Sequence, residues 1–145
     1  MRHPYTALLG SLPRVTDRTL VESFELPTIA AAWRHAVKNE SRELVALDQG
    51  ILSNQTFTAH ASISRKLGHQ FTNRLLPLRH ARILLRHAKA MENGDAPGSH
   101  LIVFGLMLAV FSVSPRQAML DYAQARLPNT DSAFAVISNL LDRAA

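Results

Sequence analysis

The chain has 145 residues, 47% of them hydrophobic, a length and composition that fit one domain with its own core and exclude a disordered or low-complexity tail. It has no cysteine, which excludes disulfides, thiolate metal sites and cysteine nucleophiles. Its net charge of +5 permits nucleic acid, anionic lipid or an acidic protein as partner and selects none of them.

Residues 1–16 form an N-terminal segment with two prolines and no continuous apolar run, a poor match to a signal peptide. Thr16 and Asp17 can cap a helix carrying Leu20, Val21 and Phe24, and Pro27 is expected to kink or restart it. Ile29, Ala30, Trp33 and Val37 extend its apolar stripe. The stretch ESRELVALDQGIL places Leu44, Leu47 and Ile51 together, with Val45 and Leu52 alongside. Asn54 or Thr56 is a plausible cap for the next helix, where Ile63, Leu67, Phe71 and Leu75 recur every four residues. Ser64 and Gly68 lie on an adjoining small-residue track, and Gly68, costly inside a helix, points to close helix packing.

Pro77 is expected to restart the chain into LRHARILLRHAKAMENGD, which Asn93-Gly94 stops. After a loop, Ser99 can cap HLIVFGLMLAVFSV. Its uncharged run of 13 residues, Leu101 to Val113, falls short of the ~20 needed to cross a bilayer. A buried helix is the better reading. Ser114-Pro115-Arg116-Gln117 then supplies an N-cap, a proline at the first helical position and a capping-box glutamine. Pro128 closes that helix, and Asp131 can cap a last one with Ala133, Val136, Ile137, Leu140 and Leu141 on one face. No strand alternation or repeat occurs. The fold class predicted is all-α, a single-domain bundle of about six or seven helices over residues 17–142, with residues 143–145 as its end.

Chemistry-bearing patterns are few. His80 and His87 are seven apart, too far along one helix to share an ion easily, and His60 and His69 fall on different faces. The expectation is therefore no stably bound metal and no catalytic residue, because glycine-rich phosphate loops and nucleophile elbows are also missing. Arg79, Arg82, Arg86 and Lys89, spaced three, four and three, define a basic face of one helix, opposite Ile83, Leu84 and Ala88. Such a face is solvated, meets an acidic partner, grips phosphates as part of a nucleic-acid-binding domain, or lies on anionic lipid. No aromatic interleaves with these cations, so single-strand stacking is disfavoured.

The order of particular residues goes further than periodicity. The block ALDQGILSNQTFTAHASISRKLGHQF, with Leu67, Gly68 and Phe71, resembles the middle of the UreF urease accessory family, and FELPTIAAAWRHAV resembles its Asp-Leu-Pro helix with Glu25 replacing the aspartate. His100, Phe104-Gly105, Tyr122, and Leu127, Asn129, Ser132 and Ala133 match further family positions in order. The family's opening Leu-Pro-x-Gly-aromatic stretch has no counterpart, and Asn139-Leu140-Leu141-Asp142 stands where Pro-Leu-Gly-Gln is usual. The resemblance thus implies a shortened or diverged member.

It further implies a non-enzymatic, cytoplasmic adaptor that joins UreD (also called UreH) and UreG on apo-urease for GTP-dependent nickel insertion, the nickel being handled by the complex. On this reading His100, Tyr122 and Asn129 are candidate partner contacts, although for Tyr122 a structural tyrosine with a local hydrogen bond is slightly the better reading. Gly68 and Gly105 are assigned to packing. A shortened bundle is expected to expose apolar surface and to form homodimers.

Overall fold

The computed structural model describes residues 5–142 and places the apolar run at the centre as helix α7, His100–Val110. Every residue from His100 to Leu108 is buried. A helix apolar on all sides needs neighbours on all sides, and here they are α3 (Leu26–Val37), α4 (Ser41–Gly50), α5 (Ala61–Leu75) and α6 (Arg82–Glu92). Around these lie α1 (Tyr5–Ser11), α2 (Arg18–Leu20), α8 (Pro115–Arg126) and α9 (Asp131–Asp142). Among the described residues the chain is all helix and turn, without strands. None of these helices is long and apolar enough to cross a membrane.

Two glycines set the closest crossings. A Cβ on Gly105 would lie 2.6 Å from the Ile29 carbonyl oxygen, so α3 and α7 meet backbone to side at this point. A Cβ on Gly68 would lie 1.8 Å from the Gly98 carbonyl oxygen, so α5 passes directly under the turn that starts α7. Both contacts require the missing side chain.

Pro27 does not restart the helix. Helical backbone runs unbroken from α2 through a π-helical turn, Val21–Glu25, into α3, and the Leu26 amide bonds to the Val21 carbonyl. Proline lacks an N–H and its ring crowds the carbonyl four residues back. A wider π turn just before it relieves that crowding, as π bulges commonly do. It also inserts one residue into the register, so that both Glu25 and Leu26 face the core.

Other boundaries differ from expectation for local reasons. Asn54 does cap, accepting from the Phe57 amide at 2.9 Å, but the next element is a short 3-10 turn, Thr58–His60, and α5 starts only at Ala61. The buried face of α5 carries Ser64, Leu67, Gly68, Phe71, Thr72 and Leu75, leaving Ile63 exposed. Pro77 does not restart a helix. Residues 76–78 form a turn, 79–81 are irregular with Ala81 extended, and α6 begins at Arg82. Ser99 caps α7 through the Leu101 amide, whereas Ser114 makes no side-chain cap and Gln117 donates to Asp121 instead. Helix α1 falls in the segment placed outside the bundle, and its Leu8 is buried in the core.

Candidate functional site

The N-terminus of α7 lies inside the protein, and its amides would be orphaned without partners. Side chains from two neighbouring helices supply them. Asp48, on the core stripe of α4 with Leu44 and Ile51, accepts from the Gly98 amide at 3.0 Å through Oδ2 and from the Ser99 amide at 3.1 Å through Oδ1. Ser64 of α5 accepts from the His100 amide at 3.2 Å, and Ser99 Oγ accepts from the Leu101 amide at 3.2 Å. A carboxylate at a helix N-terminus is also favoured by the helix dipole. His87 of α6 donates through Nε2 to Asp48 Oδ2 at 2.9 Å, fixing the carboxylate from the other side. Its Nδ1 is buried without a hydrogen-bond partner, so the ring is held at one nitrogen.

From this cap a buried chain of hydrogen bonds runs across the core. Tyr122 of α8 donates its one proton to Glu25 Oε1 at 2.6 Å. The 2.8 Å contact between His100 Nε2 and the Tyr122 hydroxyl must then be a donation by Nε2–H. Nδ1 of the neutral ring accepts from Ser64 Oγ at 2.8 Å, and Ser64 in turn accepts from the Ser99 hydroxyl at 2.8 Å. At the far end Arg126 grips Glu25 with two parallel bonds, Nε to Oε1 at 3.0 Å and Nη2 to Oε2 at 2.6 Å, and donates Nη1 to the Pro13 carbonyl at 2.7 Å. Asp48, His87, Ser64, Ser99, His100, Tyr122, Glu25 and Arg126 are all buried.

The electrostatics follow from burial. Desolvation, then the Arg126 charge and the neighbouring His60, lower the His100 pKa to about 3, so the ring is neutral. Burial and the Glu25 carboxylate push Tyr122 well up, keeping its proton in place. For Arg126, burial works to lower the pKa, but the bonds to Glu25 and the charge beside it outweigh that and raise it. From Ser99 to Pro13 the chain is fully directed, each hydroxyl and ring proton having its own acceptor. It joins α3 through its leading turn, α5, α7, α8 and the strap at Pro13, and so sets their relative positions. That is a scaffold's chemistry.

A family model for UreF matches residues 18–135, most of the chain and all eight residues of the polar chain. The chain belongs to the UreF family. UreF proteins are urease accessory proteins, and membership places this chain among factors of urease maturation. No curated protein and no solved structure gives a match.

In this UreF-family member the candidate contact residues separate. His100 and Tyr122 meet each other inside the core and offer no surface to a partner, so their roles here are internal. Asn129 is exposed, and its Oδ1 accepts from the Asp131 amide at 2.9 Å at the start of α9. The basic face is also divided. Arg82, Arg86 and Lys89 are exposed on α6, but Arg79 precedes the helix. Its guanidinium donates to the Val110 carbonyl at 2.6 Å and stands 5.7 Å over the Phe111 ring. His87, on the same helix, turns inward to Asp48. Among the described residues no three His, Asp or Glu side chains are grouped to hold a metal ion.

Sequence reading missed Asp48, His87 and Arg126 as a set, although the signal was present. Each occupies a core-stripe position of its helix: Leu44, Asp48, Ile51; Leu84, His87, Met91; Tyr122, Ala123, Arg126. A charged residue on such a stripe demands a buried partner. Which partner it finds depends on helix packing.

Proposed function

We propose that this UreF-family protein acts as a non-enzymatic adaptor that joins UreD (UreH) and UreG on apo-urease in the cytoplasm, coupling GTP hydrolysis to nickel insertion. The observation that carries this reading is the family match over residues 18–135 combined with the sealed polar chain inside it. Apart from His87 Nδ1, the polar groups of that chain are committed to one another, and on this reading the surface does the work. Nickel is then cargo of the assembly. The adaptor contributes binding energy that differs between states of the GTPase cycle, the only way a non-catalytic partner can bias that cycle. A rigid core favours this role, because surface patches held in fixed relation bind without an ordering cost.

Co-purification tests it. The tagged chain expressed with UreD and UreG is expected to retain both through size exclusion, UreG in a nucleotide-dependent manner. Recovery of the chain with neither protein would refute the adaptor role.

A further inference from the structure

A groove of about 660 Å³ opens where the C-terminal ends of α3 and α7 meet the starts of α6 and α8. That volume is in the ~300–1,000 Å³ range of ligand-binding clefts. Its floor is apolar, formed by Trp33, Val37, Ile83, Leu108, Val110 and Val113, and no charged residue lines it. Val37 is 57% exposed there, an unusual position for a residue on a helix stripe. Three exposed cations adjoin the lining residues. Lys38 separates the lining residues Val37 and Asn39, Arg82 separates Ala81 and Ile83, and Arg79 bonds the lining carbonyl of Val110. None of these three cations forms an ion pair among the described residues, and Glu40, the nearest acid along the chain, is engaged by His35.

The walls are fixed in advance. Asn39 (φ 57°) and Ser112 (φ 53°) both line the groove in the left-handed region without being glycine. Each ends its helix with two backbone bonds: Asn39 to Ala36 and Glu40 to His35, then Ser112 to Ala109 and Val113 to Leu108. Residues held in this region persist only where their surroundings over-determine them. A preformed groove of this kind lowers the ordering cost of binding.

We propose that this groove docks an amphipathic helical segment of an acidic partner protein, with apolar side chains on the floor and carboxylates on Lys38, Arg79 and Arg82. This is the helix-in-groove mode of recognition, with charge complementarity setting the partner. Nucleic acid fits poorly, because its phosphates would meet an apolar floor with cations only beside it. A lipid surface cannot follow a concave site. A second copy would bring the same excess of five positive charges to these cations. The proposal names a surface and a chemistry independent of any urease component, so its failure would leave the co-purification test untouched.

Trp33 is the only tryptophan of the chain and lines the groove, so intrinsic fluorescence reads occupancy directly. The probe is a synthetic helical peptide with leucines at i, i+3, i+4 and i+7 and glutamates on its other face, titrated into the full chain. A saturable blue shift of Trp33 emission is expected. Binding should fall roughly tenfold or more in Val37→Asp and in Arg79→Glu, and should weaken with added salt. Val37 is largely exposed, so its variant should keep the wild-type circular dichroism and melting curve, which are measured alongside. The proposal is overturned if the glutamate peptide gives no shift, if a lysine counterpart binds equally well, or if Val37→Asp binds normally. A shift produced instead by raising the chain's own concentration, with a heavier species in light scattering, or by anionic vesicles alone, also overturns it.

Discussion

His100 gives the sharpest test of the buried chain. Its ring is neutral in the folded protein, with the pKa lowered from 6.5 to about 3 by burial and by Arg126 and His60. In the unfolded chain it titrates near 6.5. A depressed folded value means that the stability this histidine contributes is complete above pH 6.5 and is lost as pH falls from 6.5 towards 3. At pH 5 the unfolded state has taken up the proton and the folded state has not. The penalty is then about 2 kcal/mol, from 1.5 pH units at ~1.4 kcal/mol each. It depends little on the exact folded value so long as that lies well below 5. The structural reason is donor counting: a proton on Nδ1 would face the Ser64 hydroxyl proton and force Ser64 and Ser99 to reorient. Urea denaturation between pH 8 and pH 5, comparing the wild type with His100→Gln, isolates the term. The wild type should lose about 2 kcal/mol more than the variant, and the His100 ring resonances should stay at neutral-form shifts to pH 5. Parallel losses in both proteins, or a folded-state midpoint near 6.5, would refute the reasoning.

Glu25→Gln should destabilise by roughly 3–5 kcal/mol in chemical denaturation, because it leaves the buried Arg126 without its counter-charge. Combining Glu25→Leu with Arg126→Met should recover much of that loss, and no recovery would mean that the pair contributes more than its charge. Tyr122→Phe removes the acceptor of His100 Nε2–H and one donor to Glu25, for an expected cost of about 1–3 kcal/mol by the same assay. Gly68→Ala places a methyl group against the Gly98 backbone and should cost about 1–3 kcal/mol or more, whereas Gly50→Ala, which has open space, should cost little.

The helical class and most helix positions were legible in the sequence because local signals govern them. Ser99 caps α7 as its position suggests, and Pro115 opens α8. The errors lie where tertiary demands override local pattern. Four-residue spacing favours Ile63 on the core side of α5, but the buried face takes in Ser64, Gly68 and Thr72 beside Leu67, Phe71 and Leu75 and leaves Ile63 outside. Charge spacing groups Arg79 with α6, but Pro77 and the extended Ala81 hold it off that helix and turn it to Val110. Matching the family offered His100 and Tyr122 as partner contacts, and both lie inside the core. It could not tell a buried hydrogen bond from a partner contact, because motif order carries no burial. The Glu25–Arg126 pair spans a separation of 101 residues that no local rule reaches.

A role in loading urease with nickel is the central claim for this protein. The most direct measurement replaces the resident UreF with this chain in cells that carry the other urease accessory genes, then determines the nickel content of the purified urease. The adaptor role predicts nickel-containing, active urease, with loss of both when the chain is omitted. Urease that stays nickel-free while the chain is present and folded would contradict it.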